Sequence, residues 1–143
     1  MMNTQVVALD AIALDTSAIL AILALESEAA LFSALIACRQ TLVGAPTLVE
    51  ARLVMEKLSD DPENDLGDFL RRSEATIVSF DDTMFEVAAD AFHRFGKGRN
   101  HPAKLNFGDC LSYAIAKIHA VPLLFKGNDF IHTDLVPACR PSR

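Results

Sequence analysis

A chain of 143 residues has the length of one ordinary domain, and 51% hydrophobic against 22% charged residues exclude a disordered or low-complexity protein. Thirteen basic and nineteen acidic residues leave a net charge of −6, which excludes binding of a polyphosphate through overall charge; any nucleic-acid contact must be local. Cys38, Cys110 and Cys139 fit no metal-finger spacing and cannot all pair, which points to a reducing cytoplasm.

The N-terminal stretch is apolar, yet it has no Lys or Arg before Arg39 and is interrupted by Asp10 and Asp15, so it reads as mature structure rather than a leader. Its uncharged run, residues 16–25, is about half of what a bilayer crossing needs. Residues 11–14, a short apolar run ending at Asp15, are predicted as a buried parallel strand. From Thr16 the chain turns to Ala, Leu and Ile, breaks at residues 26–28 and resumes to Cys38, the pattern of a helical hairpin. Residues 41–45 are a second strand, and Pro46 opens a helix that runs to Lys57 or Leu58.

The turn DDPEN at residues 60–64 leads into a helix ending near Ser73. Residues 75–80 form the clearest strand, and Asp81 or Asp82 caps a helix whose Phe85, Ala88, Ala89 and Phe92 keep helical spacing. Residues 94–104, with two glycines and a proline, are a loop, and Phe92 and Phe95 beside it are assigned to the helix core face. Asn106 caps a helix carrying Leu111, Ile115 and Ile118, and residues 121–125 are the fourth strand. Strands alternating with helices predict a parallel sheet covered on both faces in a single α/β domain.

In such a sheet the C-terminal ends of strands and the N-terminal ends of helices share one edge, where ligands bind. Asp15, Glu50, Asp81, Asp82, Asp109 and Asp129 all fall on that edge, and a divalent cation would relieve their mutual repulsion. An oxygen-only set suits Mg²⁺ or Mn²⁺, and such a metal with a phosphodiester makes a natural pair. The four histidines are scattered and offer no zinc site. Each acid also has a structural explanation: Thr47-x-x-Glu50 matches a capping box, Asn106-x-x-Asp109 puts an acid in a first turn, and Asp15 and Asp129 suit a cap and a turn. Arg94, Lys97, Arg99 and Lys104 give a locally basic run with no acid among them, a candidate phosphate-binding strip leading into Asp109.

The ordered motifs LDTSA (14–18), APTLVEA (45–51), RFGKG (94–98), LNFGDCLSYAIAK (105–117) and PLLFKGNDF (122–130) span nearly the whole chain. Together they resemble a PIN-domain ribonuclease of the VapC type, the toxin of bacterial toxin–antitoxin pairs. The resemblance implies a three-layer α/β fold, with a central parallel sheet of four or five strands flanked by helices. It also implies an Mg²⁺-dependent endoribonuclease centre whose acidic quartet is Asp15, Glu50, Asp109 and Asp129, and it returns Asp81 and Asp82 to capping. Thr16 and Ser17 take the hydroxyl positions after the first aspartate, one of them expected to hold a metal water or the phosphate. Asn128 stands where the family often has a second acid beside Asp129, which favours one Mg²⁺ over two. The family further implies a small VapB-like antitoxin lying on the early helices, a homodimer with facing sites, and no membrane.

Other classes fit less well. A receiver-like phosphoacceptor would carry an acidic pair after the first strand and a Lys-Pro after the last, where this chain has LDTSA and KGN. A haloacid-dehalogenase-type phosphatase would need an aspartate where Ser17 stands. An interaction module would be expected to have lost one of the quartet acids. The carboxylate chemistry itself does not separate RNA from DNA; RNA comes from the resemblance.

Overall fold

The computed structural model describes residues 10–141, so the first nine residues of the stretch expected to be mature structure lie outside it. Four strands, β1 (Ile12–Leu14), β2 (Thr41–Gly44), β3 (Thr76–Val78) and β4 (Leu123–Leu124), form one sheet in the order β3-β2-β1-β4. Every pairing is parallel, with Ala13 opposite both Leu42 and Leu123. A single parallel bridge between Leu123 and Pro137 extends the β4 side.

Because successive strand residues face opposite ways, short apolar strands can serve two cores at once. Ile12, Leu14, Val43 and Leu124 face one layer, built from α1 (Thr16–Leu23), α2 (Ala29–Ala37), α3 (Ala45–Met55) and α4 (Pro62–Ser73). Ala11, Ala13, Leu42 and Leu123 face the other, where α5 (Asp82–Phe95) and α6 (Phe107–His119) pack. The small Ala11 and Ala13 let α6 come close, and Tyr113, Ala114, Ile115 and Ala116 of that helix are all buried.

The strand order reverses direction beside β1: β2 and β3 lie on one side and β4 on the other. A crevice opens at such a switch point outside the carboxyl ends of the two strands. Asp15 follows β1 directly, and its N–H donates to the Leu124 carbonyl of β4 at 3.0 Å. The fold therefore puts the segments after β1 and β4 side by side.

Several expectations need correction. The strand expected at residues 75–80 is only Thr76–Val78 and lies at the sheet edge, where Ile77 is 53% exposed; the sheet is not fully covered there. The core face of α5 is Met84, Ala88, Ala91 and Phe95, while Phe85, Ala89 and Phe92 point outward. Both stripes have helical spacing, and the compact residues are chosen because α6 packs tightly against this face. On α6, Ile115 is buried as expected, but Leu111 is only partly so and Ile118 is exposed. Arg94 and Phe95 belong to α5, not to the loop, and the following segment is tied back by a bridge between Gly96 and Leu105.

Candidate active site

Asp15 is the N-cap of α1 and is 4% exposed. The Ser17 N–H (3.0 Å) and Ser17 Oγ (2.6 Å) both donate to Asp15 Oδ2, so this carboxylate is aimed by the first turn that it caps. Ser17 Oγ in turn accepts from the Lys126 N–H at 2.9 Å, which locks the loop after β4 to the start of α1. Lys126 Nζ reaches away, to Glu26 Oε2 (3.1 Å) and Glu28 Oε1 (3.4 Å).

Glu50 is not the acid of a capping box. Gly44 is the N-cap of α3, with Pro46 in its first turn, and Thr47 is buried with its hydroxyl 3.4 Å from Ser112 Oγ of α6. Glu50 instead accepts a hydrogen bond from Thr16 Oγ1 and lies against Gly108. A methyl placed on Gly108 would overlap the Glu50 carboxylate, so a side chain there would displace that carboxylate from its position against α6.

Asp109 does close a capping box. Its N–H donates to Asn106 Oδ1 at 2.8 Å, and the Asn106 N–H donates to Asp109 Oδ2 at 3.0 Å. Capping does not remove it from the acidic group. Burial, followed by the charges of Asp15, Asp129 and Glu50, pushes its carboxyl up to about 7 despite the Asn106 hydrogen bond. Asp129 begins the 3₁₀ turn Asp129–His132 and is exposed. Asp81 caps α5 through the Met84 N–H and Asp82 lies in the helix's first turn, so those two acids are accounted for locally.

Asp15, Glu50 and Asp129, the other acids of the quartet that the resemblance implies, thus lie close enough to Asp109 to raise its pKa. Among the described residues no three His, Cys, Asp or Glu side chains converge on one ion position. A magnesium-like ion takes one or two carboxylates directly and completes its shell with water and substrate oxygens, so a looser ring of acids is compatible with it. The donor set is hard oxygen, burial and then the neighbouring acids raise the Asp109 carboxyl well above the usual carboxylate range, and the nearby Lys126 ammonium is occupied elsewhere. These residues fit a divalent cation.

Thr16 and Ser17 are the hydroxyls expected to hold a water or the phosphate. Each is committed to a carboxylate: Thr16 to Glu50, Ser17 to Asp15. The basic run divides. Arg94 sits over the Phe95 ring at 4.6 Å and pairs with Asp90 (3.3 Å) and Asp134 (3.9 Å). Arg99 is held by the His93 carbonyl at 3.2 Å and ring nitrogen at 2.9 Å. Lys97 and Lys104 are exposed, and the Lys97 N–H donates to the Leu105 carbonyl at 2.8 Å, which sets Lys97 beside the segment entering α6.

The sequence reading missed Asp134, which receives the Tyr113 hydroxyl (2.6 Å) and Lys117 Nζ (2.7 Å) and ties the C-terminal segment to α6. No spacing rule pairs residues 21 apart, but a lone tyrosine in a buried helix needs a hydroxyl partner, and that was the available signal. It also missed Gly108, although a glycine in the first turn beside a site acid is itself a sign of close approach.

Residues 12–135 match the family model for the PIN domain. The chain is 44% identical to Ribonuclease VapC42 of Mycobacterium tuberculosis over 128 residues, covering 87% of this chain and 97% of that protein. It is 39% identical to Ribonuclease VapC30 of the same species over 130 residues, covering 90% and 98%. Among solved structures, the sarcin-ricin-loop-cleaving toxin VapC20 of M. tuberculosis superposes with a TM-score of 0.70 at 17% identity, covering 91% of this chain and 99% of that one. VapBC2 of Rickettsia felis, solved on a DNA fragment of its promoter, gives 0.71 at 15% identity over 93% and 99%.

Proposed function

The chain belongs to the PIN-domain endoribonucleases of the VapC type, and from that premise we propose that Asp15, Glu50, Asp109 and Asp129 hold Mg²⁺ for internal hydrolysis of RNA. The observation that carries this reading is Asp109, a capping aspartate raised to about 7 by burial and by the other three acids. A cap alone would place a carboxylate there but would not surround it with like charges. Mn²⁺ has the same preference for hard oxygen and is expected to substitute.

The residues divide the work. The buried Asp15 and the half-buried Asp109 and Glu50 would hold the cation, with the exposed Asp129 at the edge of the acidic group. Ser17 and Thr16 are positioning residues that fix the carboxylates of Asp15 and Glu50. The bound cation supplies a more acidic water and neutralises charge developing on the phosphate. Lys97 and Lys104 contact the RNA backbone, with Arg94 and Arg99 contributing less because each already has a partner.

The toxin reading includes an antitoxin of the VapB kind. A cleft of about 580 Å³ runs between α1, α3 and α4, with Leu20, Leu23, Met55 and Leu58 inside and Asp60, Asp61 and Asp65 at its rim. That lining suits an apolar segment carrying basic residues. Exposed Val49 and Leu53 on α3 and Phe85 and Phe92 on α5 support a homodimer. All described residues are organised on one sheet, which supports a single PIN domain. Among them no helix is long and apolar enough to cross a membrane, and an RNA substrate favours the cytoplasm.

Purified protein incubated with folded and unfolded RNAs, in Mg²⁺ and in EDTA, tests the proposal when cut ends are mapped. Discrete internal cuts that vanish in EDTA are expected. Specific cutting that persists in EDTA would overturn the metal assignment.

A further inference from the structure

Phe107 is 79% exposed, the second most exposed large hydrophobic side chain among the described residues. It occupies the first position of α6, two residues before Asp109, in a turn whose next residue, Gly108, carries the Glu50 carboxylate against its backbone. Helix capping gives no reason for an aromatic ring here. Asn106 and Asp109 complete the cap between them, and the core contacts of this turn are made by Gly108 and Cys110.

The chain just before it carries the exposed lysines. Lys104 is three residues from Phe107, so their Cα atoms are at most about 11 Å apart along the backbone. Lys97 is fixed to the same place by its hydrogen bond to the Leu105 carbonyl and by the Gly96–Leu105 bridge. In order along residues 97–109 stand cations for phosphates, an unpartnered aromatic face, and an acid of the metal-binding ring. A single-stranded nucleic acid requires that combination: charge for its backbone, a π-face for a base, and a reacting centre for one phosphate. In a chain of net charge −6, a contact that needs no positive charge is of particular use.

We propose that Phe107 is a base-stacking subsite, on which an unpaired nucleobase of the RNA lies beside the phosphate held at the acidic ring. The subsite rests on the ribonuclease reading and deepens it. Stacking tolerates every base and excludes a paired one, so the residue selects for unpaired RNA more than for sequence. The other exposed aromatics, Phe85 and Phe92, are on α5, which contributes no acid to the ring, and they have no such role.

The chain contains no tryptophan, so Phe107→Trp introduces a single fluorophore at the subsite. Combined with Asp109→Asn to prevent cutting, this variant is titrated with an unstructured oligoribonucleotide and with an abasic oligonucleotide of equal length. Emission is expected to be quenched by the first and unchanged by the second. In the otherwise native protein, Phe107→Ala should raise KM for unpaired RNA by roughly 5- to 100-fold and leave kcat within a few-fold, with Phe107→Trp restoring KM. Equal KM values for Phe107→Ala and the parent, or equal quenching by the abasic oligonucleotide, would overturn the subsite while leaving the ribonuclease standing. Emission that changes with protein concentration alone would assign the ring to contact between copies and also overturn it. A parent protein that cuts no RNA in Mg²⁺ would instead remove the premise. Thermal melts of each variant keep misfolding distinct from lost binding.

Discussion

The acidic ring and the basic run are equally conspicuous in the sequence, four charges each, but the fold treats them differently. Asp15 is buried and held by two hydrogen bonds from Ser17, Glu50 is held by Thr16, and Asp109 is fixed by its own cap. Of the four cations, Arg94 and Arg99 are spent on neighbouring side chains and backbone, and Lys97 and Lys104 extend into solvent. Like charges fixed by hydrogen bonds near a buried carboxyl are what the proposed cation site requires. Exposed charges of one sign report only a surface on which a ligand can slide.

The comparison breaks most visibly if an acid is removed. Asp15→Asn or Asp109→Asn should reduce RNA cleavage by more than about 100-fold, since even supporting residues around metals are worth 10- to 100-fold. Asp109→Asn keeps an amide oxygen for the Asn106 N–H, so metal-free protein at neutral pH should melt no lower than the parent, while stabilisation by added Mg²⁺ shrinks. A variant that still cuts at the parent rate would take that acid out of the ring.

Ser17→Ala should cost roughly 10-fold in activity, mostly in metal affinity, because Asp15 loses one of its two donors and keeps the backbone one. Unchanged Mg²⁺ dependence would mean the hydroxyl is not a support.

A smaller effect sharpens the contrast through pH. Asp109 is raised from 3.8 to about 7 by folding, so the folded protein retains a proton that the unfolded chain has released. Metal-free stability should therefore fall as pH rises between about 4 and 7 and level off above it. Added Mg²⁺ should flatten or reverse that slope, and Asp109→Asn should abolish this contribution. Urea titrations across that range, with and without metal, check the sign.

The smallest expected changes are on the basic side. Lys97→Ala and Lys104→Ala should each lower the salt dependence of RNA binding by about one unit of log–log slope. Arg94→Ala should leave that slope nearly unchanged and cost at most about 1 kcal/mol of stability, because its partners are Asp90, Asp134 and the Phe95 ring. Equal slopes for all three variants would erase the distinction between free and engaged cations.

What the sequence made legible follows from how local each signal is. Helix starts at Asp15, Asp81 and Asn106 were readable because a cap is a contact within one turn. Six candidate acids follow from strand ends and helix starts sharing an edge, and the resemblance carried by the ordered motifs selects the proposed four among them. The α5 face was misjudged because two stripes of equal spacing compete there, and only the closeness of α6 selects the one with Ala88 and Ala91. The capping-box alternative for Thr47 and Glu50 fails because the helix begins two residues before Thr47, at a proline-bearing turn that does without a side-chain cap. Hydroxyls at positions 16 and 17 could be noticed but not assigned, since their partners depend on the approach of α3 and of the β4 loop.

The bond from the Lys126 N–H to Ser17 Oγ joins residues separated by 109 positions. Its consequence concerns the timing of synthesis. Chains are made from the N-terminus, and domains fold as units. Asp15 emerges early, but β4, its neighbour in the sheet, and Asp129 are translated more than a hundred residues later. A nascent chain lacking that segment cannot set Asp129 near Asp15, so the proposed site assembles only after the β4 segment has been made.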